Sequence, residues 1–183
     1  TEHHAFNQIR KPSYSFGWDW GVDVANAGIW REIGIDSWSD VRLVSVRPLV
    51  DVAADDTGLL NVHVEIERAG KGRIMSPYDS RPVRQAVPVH AEISGFGVAL
   101  AAEGIVEEGR DTAVITIAVP EAKLWWPIGY GDQPLYDVAV TAGEAATAEA
   151  AVWNGHVGFR TVHVDTRADE VGRPFQIYVN NVP

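Results

Sequence analysis

Residues 59–68 read LLNVHVEIER, and apolar and polar side chains alternate along the whole stretch. A period of two is the pattern of a β-strand, in which successive side chains point to opposite faces. The apolar side chains that share one face are Leu60, Val62, Val64 and Ile66. The polar side chains that share the other face are Asn61, His63, Glu65 and Glu67. The stretch therefore predicts a strand in an antiparallel sheet that packs on one side and meets water on the other.

The same alternation recurs along the chain and predicts an all-β fold. Further strands are expected over 41–52, 86–93, 97–107, 112–119, 135–141, 157–165 and 174–179. About seven strands between residues 41 and 165 suit an immunoglobulin-like antiparallel β-sandwich of ~100 residues. The side chains predicted to fill its core are Val62, Val64, Ile66, Val87, Val89, Ile115, Ile117, Val138 and Val140.

Two prolines qualify this pattern. Pro88 falls on the outward side of its strand, which predicts that 86–93 is an edge strand. Arg47-Pro48 interrupts the alternation of 41–52, as a bulge or a change of sheet would.

Two stretches between the strands are predicted to differ from them. Residues 69–85 form a long polar gap, which indicates an exposed loop. Residues 144–151, EAATAEAA, are helix-prone in composition but carry no apolar stripe, so a loop or strand end fits equally well.

The first 40 residues differ from the rest of the chain. They hold four of the seven tryptophans but only one predicted strand, 29–35. One strand cannot bury four indoles that each offer ~150–250 Å². These residues are therefore expected either to pack on the domain that follows or to be the end of a domain that starts earlier.

Composition excludes several classes of function. Hydrophobic residues make up 46% of the 183 residues, which is enough for a packed core. The net charge of -10 argues against a nucleic-acid partner. The absence of cysteine excludes disulfides and thiolate chemistry. No apolar run reaches the ~20 residues of a membrane span, so no membrane partner is expected. The compartment stays open, with the cytoplasm slightly favoured.

Four sequence blocks, taken together, resemble the β-mannosidases of glycoside hydrolase family 2. They are FGWDWG at 16–21 with GIWR at 28–31, LWWPIGYGDQPLY at 124–136, GFRT at 158–161, and the closing Phe175, Tyr178, Val179 and Asn180. Their order and spacing are those of the family, and they cover residues 10–181.

The resemblance implies a division into three segments. Residues 1–40 would be the C-terminal remnant of a sugar-binding jelly-roll domain, 41–165 the immunoglobulin-like sandwich, and 166–183 the lead-in to a (β/α)₈ catalytic barrel. Enzymes of this family are retaining glycosidases whose two glutamates come from that barrel, which takes ~250 residues. No catalytic residue is therefore expected within this chain, which alone should be inactive.

The same resemblance assigns two substrate-binding residues. Asp19 would reach the terminal mannose, with Trp18 as its neighbour in the pocket. A carboxylate flanked by indoles also suits sugars on chemical grounds, since it accepts hydroxyl hydrogen bonds while aromatic rings cover C–H faces. Trp20 and Trp30 are expected in the core instead. No His, Asp and Glu residues are grouped at metal-ligand spacing, so neither a metal nor a cofactor is expected.

The expected function is that of a noncatalytic segment of an exo-acting β-mannosidase, which removes terminal non-reducing β-D-mannose. The partner of the whole enzyme would be a mannoside or mannan-derived oligosaccharide. Two alternatives stay open: a stand-alone immunoglobulin-like carbohydrate-binding or adhesion module, and a family 2 hydrolase of different sugar specificity. A homo-oligomer formed through residues 1–40 also stays open.

Overall fold

The computed structural model describes residues 8, 10–24, 28–38, 40–69, 86–143 and 150–183. Most of the predicted loop at 69–85 and of the helix-prone stretch at 144–151 lies outside the described residues. The chain divides into two compact units, Thr1–Ser37 and Trp38–Pro183. In the part of the chain that is described, no helix is long and apolar enough to cross a bilayer.

The larger unit consists of β-strands joined by turns and loops. Its strands are β3 (Val41–Val52), β4 (Gly58–Arg68), β5 (Val87–Gly95), β6 (Val98–Val106), β7 (Thr112–Val119), β8 (Tyr136–Ala142), β9 (Ala151–Val157), β10 (Val162–Asp165) and β11 (Gln176–Val179). The smaller unit contributes β1 (Phe16–Trp18) and β2 (Gly21–Asp23), which follow one turn of 3₁₀ helix at Ser13–Ser15.

Two antiparallel sheets form the sandwich. One sheet has the order β3-β4-β7 and the other has the order β6-β5-β8-β9. Strand β6 hydrogen-bonds to β5 and so belongs to the second sheet, whereas the fourth strand of a constant-type immunoglobulin domain lies in the first. The predicted all-β, antiparallel sandwich is confirmed. Strands β10 and β11 pair as a separate hairpin.

The core lies between the two sheets, where the inward positions of neighbouring strands meet. All nine predicted core side chains are buried, from Val62 at 0% exposed to Val87 at 7%. Leu60, Ile93, Tyr136 and Phe159 are also almost fully buried. Each such side chain contributes roughly 1.5–3 kcal/mol when it leaves water. The alternation that predicted the strands therefore also selected the residues that hold the sheets together.

The prediction that 86–93 is an edge strand is wrong. β5 pairs with β6 on one side and with β8 on the other. Pro88 is tolerated because the ladder with β8 begins only at Val89, opposite Ala142. Just beyond that pair, the Pro88 carbonyl accepts a hydrogen bond from the Gly143 N–H at 2.9 Å. The backbone N–H that proline lacks would lie outside this ladder, so the ladder loses no hydrogen bond.

The irregularity predicted at Arg47-Pro48 lies a few residues earlier. The register between β3 and β4 shifts between Leu43 and Ser45, and Pro48 pairs in register with Val62. A proline fits here because β3 is an edge strand of its sheet and offers one side without a ladder.

The strand predicted at 29–35 is also wrong, because residues 28–37 are irregular. A strand needs a hydrogen-bonded neighbour. In the described part of the smaller unit, the regular pairing is confined to β1 and β2.

Candidate functional site

The predicted sugar-binding residues lie at the tip of the β1–β2 hairpin. Trp18 pairs with Gly21, so Asp19 and Trp20 form the two-residue turn between the strands. Gly17 supports this hairpin with φ of 102°, a backbone conformation that costs any other residue strain.

Asp19 lies between Trp18 and Trp20 in sequence, at the tip of the hairpin, and both indoles are exposed. The rings of Trp18 and Trp20 meet edge to face with centroids 6.1 Å apart, and Trp18 is 58% exposed. Asp19 is exposed as well. Asp19 and Trp18 are therefore consecutive, accessible residues at the tip of the hairpin.

Trp20 and Trp30 are not core residues in this structure. Trp20 is 84% exposed and Trp30 is 81% exposed. The Arg31 guanidinium lies 4.3 Å from the Trp30 ring centroid, a cation–π contact. The described residues of this unit offer a single small hairpin, and one layer of structure cannot enclose an indole.

A second aromatic site lies in the loop between β7 and β8, residues 122–135, which we call the tryptophan loop. Hydrogen bonds within the loop hold its backbone in place. The Trp126 N–H donates to the Asp132 carbonyl at 2.9 Å. The Gln133 amide Nε2 donates to two further carbonyls, those of Trp126 at 3.0 Å and Gly131 at 2.6 Å. Gly131 is required here, because a Cβ at this position would lie 2.8 Å from the Trp126 ring.

Asn180 joins the tryptophan loop to the β10–β11 hairpin. Its side-chain Nδ2 donates to the Trp125 carbonyl at 3.0 Å, and its Oδ1 accepts the Thr161 N–H at 3.0 Å. The Asn180 N–H also donates to the Thr161 carbonyl. The residue adopts φ of 50°, a left-handed conformation that asparagine tolerates better than most residues. One side chain therefore ties together three segments that are distant in sequence.

An open groove of about 660 Å³ runs beside the tryptophan loop. We call it the loop groove. Its lining residues are Phe96, Lys123, Leu124, Trp126 and 131–135. Sequence reasoning missed Phe96 and Lys123, since residue 96 lies in a different turn and only the sheet pairing brings it near the loop.

Phe96 occupies this groove in a strained backbone conformation. Phe96 and Gly97 form the two-residue turn between β5 and β6 with φ of 52° and 84°. Asn-Gly is the favoured pair in such a turn, and a bulky residue there costs on the order of 1–3 kcal/mol. The ring packs edge to face on Tyr136 at 5.0 Å and is still 49% exposed.

Three histidines in the described sheets form pairs or a stack rather than a metal site. His90 contacts Glu92 and His156 contacts Asp137, each at 2.9 Å, and the His163 ring stacks on Tyr178 at 4.5 Å. Across the described residues, no group of three or more His, Asp or Glu side chains is placed to hold a metal ion.

Asp165 is the carboxyl group with the clearest electrostatic perturbation. Hydrogen bonds from the Arg167 side chain and backbone hold the pKa of Asp165 well below its ordinary value. The Arg167 side chain is 90% exposed and that of Asp165 is 18% exposed, and the charge of the nearby His163 lowers the pKa of Asp165 further.

Comparison with known proteins places this chain in a family. The model of the family described as glycosyl hydrolases family 2 matches residues 41–160, the sandwich with its tryptophan loop. The chain belongs to glycosyl hydrolase family 2. A second model, glycosyl hydrolase 2 galactose-binding domain-like, matches residues 1–31 and so includes the Asp19 hairpin.

Family 2 proteins with curated names match almost the whole chain. Beta-mannosidase B of Aspergillus fumigatus is 32% identical over 175 residues, which is 95% of this chain and 19% of that protein. Beta-mannosidase B of Emericella nidulans is 30% identical over the same length. The chain therefore spans about a fifth of the length of the curated relatives it matches.

Solved structures share the fold. A β-D-mannosidase from Dictyoglomus thermophilum superposes with a TM-score of 0.76 at 28% identity, covering 95% of this chain and 20% of that one. The exo-chitosanase CsxA of Amycolatopsis orientalis has a TM-score of 0.54 at 21% identity over 79% of this chain and 15% of its own, which reports on the fold alone.

Proposed function

We propose that this chain is a noncatalytic segment of an exo-acting β-mannosidase that hydrolyses terminal non-reducing β-D-mannose residues. One observation carries the proposal: a curated relative that matches 95% of the chain at 32% identity is named a β-mannosidase. A β-D-mannosidase structure that superposes over the same share of the chain supports it. The substrate would be a mannoside or a mannan-derived oligosaccharide.

Three segments share this work in the proposal. Residues 1–40 end a sugar-binding domain, 41–165 form the sandwich that braces a catalytic barrel, and 166–183 lead into that barrel. The two family models support a division between residues 31 and 41. The β10–β11 hairpin straddles the boundary at 165, so the lead-in would be anchored to the last residues of the sandwich segment.

Asp19 and Trp18 would contribute a loop to the sugar pocket of the whole enzyme. The Asp19 carboxylate would accept hydrogen bonds from mannose hydroxyl groups, and the Trp18 ring would cover an apolar face of the sugar. The exposed hairpin tip supports this role, since both side chains are accessible and adjacent. Hydrogen bonds of this kind raise the rate only if they strengthen in the transition state.

The exposed apolar side chains of the smaller unit would be covered in the whole protein. Trp20, Trp30, Ile33 and Ile35 are each at least 77% exposed. A monomer rarely keeps such a patch in water. Either the rest of the polypeptide or a second copy would cover it, and light scattering on the whole protein separates a monomer from a homo-oligomer.

The experiment that tests the function uses the whole enzyme and the variant Asp19→Ala. We expect kcat/KM for a chromogenic β-mannoside to fall about 10²–10³-fold with little change in Tm, because losing transition-state hydrogen bonds costs several kcal/mol. Asp36→Ala, which removes another exposed carboxylate of the same unit, is the matched control and should keep full activity.

Three results would contradict the proposal. Unchanged kcat/KM in folded Asp19→Ala would show that Asp19 is structural. Preference for a β-glucosaminide, galactoside or glucuronide over the mannoside would assign another sugar. Hydrolysis by the 183-residue chain alone would show that catalysis does not need a barrel.

A further inference from the structure

We propose that the loop groove binds a neutral oligosaccharide at a site separate from the Asp19 hairpin. The groove lies wholly in the larger unit, beside the tryptophan loop. The proposal goes beyond the function proposed above, which assigns sugar contacts to Asp19 and Trp18.

The dimensions of the groove suit a ligand of a few sugar units. Its volume of about 660 Å³ lies within the ~300–1,000 Å³ of small-molecule sites. The groove is broadly open to solvent rather than an enclosed cavity. An open groove accepts the interior of an extended chain, whereas an exo-acting pocket must enclose a chain end.

The side chains that line the groove combine an aromatic surface with hydrogen-bond acceptors and donors. Trp126 supplies the indole, and Asp132 supplies a carboxylate. Both N–H groups of the Gln133 amide are used within the loop, so the atom it can offer is the acceptor Oε1. Lys123 supplies an ammonium group that lies 5.1 Å from the Phe96 ring centroid. Sugars match this set, since their rings have C–H faces and their hydroxyls both donate and accept.

The charges that line the groove and the net charge of the chain favour a neutral ligand. The groove offers one carboxylate and one ammonium group, which balance each other. The chain as a whole carries a net charge of -10, which repels phosphates and acidic polysaccharides.

The groove is prepared before a ligand arrives. Hydrogen bonds from Gln133 and within the backbone hold the loop, so binding would not have to order it. Phe96 is held at φ of 52° with its ring half exposed at the groove. A strained aromatic residue where asparagine would fit better is the kind of outlier that points to a ligand contact.

The test is an NMR titration of the 183-residue chain with two neutral probes, β-1,4-mannotriose and cellotriose, and with trigalacturonate as the charged comparison. We expect at least one neutral probe to shift the resonances of Trp126 and its neighbours saturably, and trigalacturonate to leave them in place. Trp126→Ala should raise Kd about ten-fold or more, because the stacking surface is lost.

Two further variants separate binding from folding. Phe96→Asn introduces the Asn-Gly pair that the turn favours, so the chain should fold while its affinity falls about ten-fold. Tyr130→Ala removes an aromatic side chain of the same loop that does not line the groove, and it should bind as the parent does.

Three outcomes would overturn the proposal: no saturable shift with either neutral probe, unchanged Kd in both Trp126→Ala and Phe96→Asn, or loss of binding in Asp19→Ala instead. Binding of cellotriose but not mannotriose would support the groove and speak against a mannose-directed function, so the two proposals can fail separately.

Discussion

Replacement of Gly58 by alanine tests how tightly the end of the sandwich is packed. Gly58 begins β4, and a Cβ added there would lie 2.7 Å from Cδ1 of Phe159 and 2.8 Å from Cβ of Ala122. The Phe159 ring would have to retreat by about 0.7 Å to reach an ordinary contact of 3.4 Å. It has little room, because it is fully buried and packs edge to face on Tyr136 at 5.3 Å.

The magnitude follows from two opposing terms. Overpacking a filled core costs about 1–3 kcal/mol. Replacing glycine with alanine also stabilises the folded state by about 0.5–1 kcal/mol, because alanine lowers the conformational entropy of the unfolded chain. The centres of the two ranges leave a net loss of about 1 kcal/mol. We therefore expect Gly58→Ala to lower the free energy of unfolding by about that amount, measured from urea denaturation as a lower midpoint at unchanged m-value.

Two companion variants locate the cause. Gly172→Ala places its Cβ in open space and should change stability by less than about 0.5 kcal/mol. Phe159→Leu removes the ring edge, so adding it to Gly58→Ala should recover part of the loss as a favourable coupling energy of about 0.5 kcal/mol or more. Parent-like stability of Gly58→Ala, or additivity of the two changes, would refute a clash with the ring.

Two further predictions concern the β10–β11 hairpin. Asn180→Ala should destabilise the junction with the tryptophan loop by about 1–3 kcal/mol and speed amide exchange at Thr161. The control is Asn181→Ala, because Asn181 also has a left-handed backbone conformation, with φ of 63°. Equal effects of the two substitutions would contradict a role for the Asn180 amide. Arg167→Met should raise the pKa of Asp165 toward its ordinary value of 3.8, as followed by carboxyl NMR. Because folding lowers the pKa of Asp165, the Asp165–Arg167 pair stabilises the folded chain at pH values above the unfolded-state pKa. This stabilisation is lost as the pH falls through the lowered pKa of the folded state. An unchanged pKa of Asp165 in Arg167→Met would refute the pairing.

Most strands of the sandwich and its core could be predicted because they depend on local alternation, whereas β9 lies almost wholly outside the predicted strands. Val62, Val64 and Ile66 face inward wherever β4 lies in the sheet, since side chains alternate along any strand. The central position of β5 in its sheet could not be predicted, because it depends on which distant strands pair with it. Pro88 is compatible with a central strand through its place at the end of one ladder, which the sequence does not reveal.

The two aromatic sites differ in the same way. The Asp19 hairpin is contiguous in sequence, so Trp18, Asp19 and Trp20 could be recognised as neighbours before the structure was known. Their exposure could not, because burial of an indole depends on which other layers surround it. The loop groove joins Phe96 to residues 123–135 through the packing of Phe96 on Tyr136, and no sequence spacing signals that contact.

The interleaved order of the two sheets has a consequence for how the sandwich folds. β4 pairs with β7 although β5 and β6 lie between them in sequence, and β5 pairs with β8 although β6 and β7 lie between. Closing either sheet thus encloses strands of the other, and neither sheet is a contiguous piece of chain. Folding dominated by such distant pairings takes milliseconds to seconds. A piece ending before β7 would leave both sheets incomplete, and a piece ending before β8 would still lack two of the four strands of the second sheet. A ribosome would have to release nearly the whole unit before its core could form.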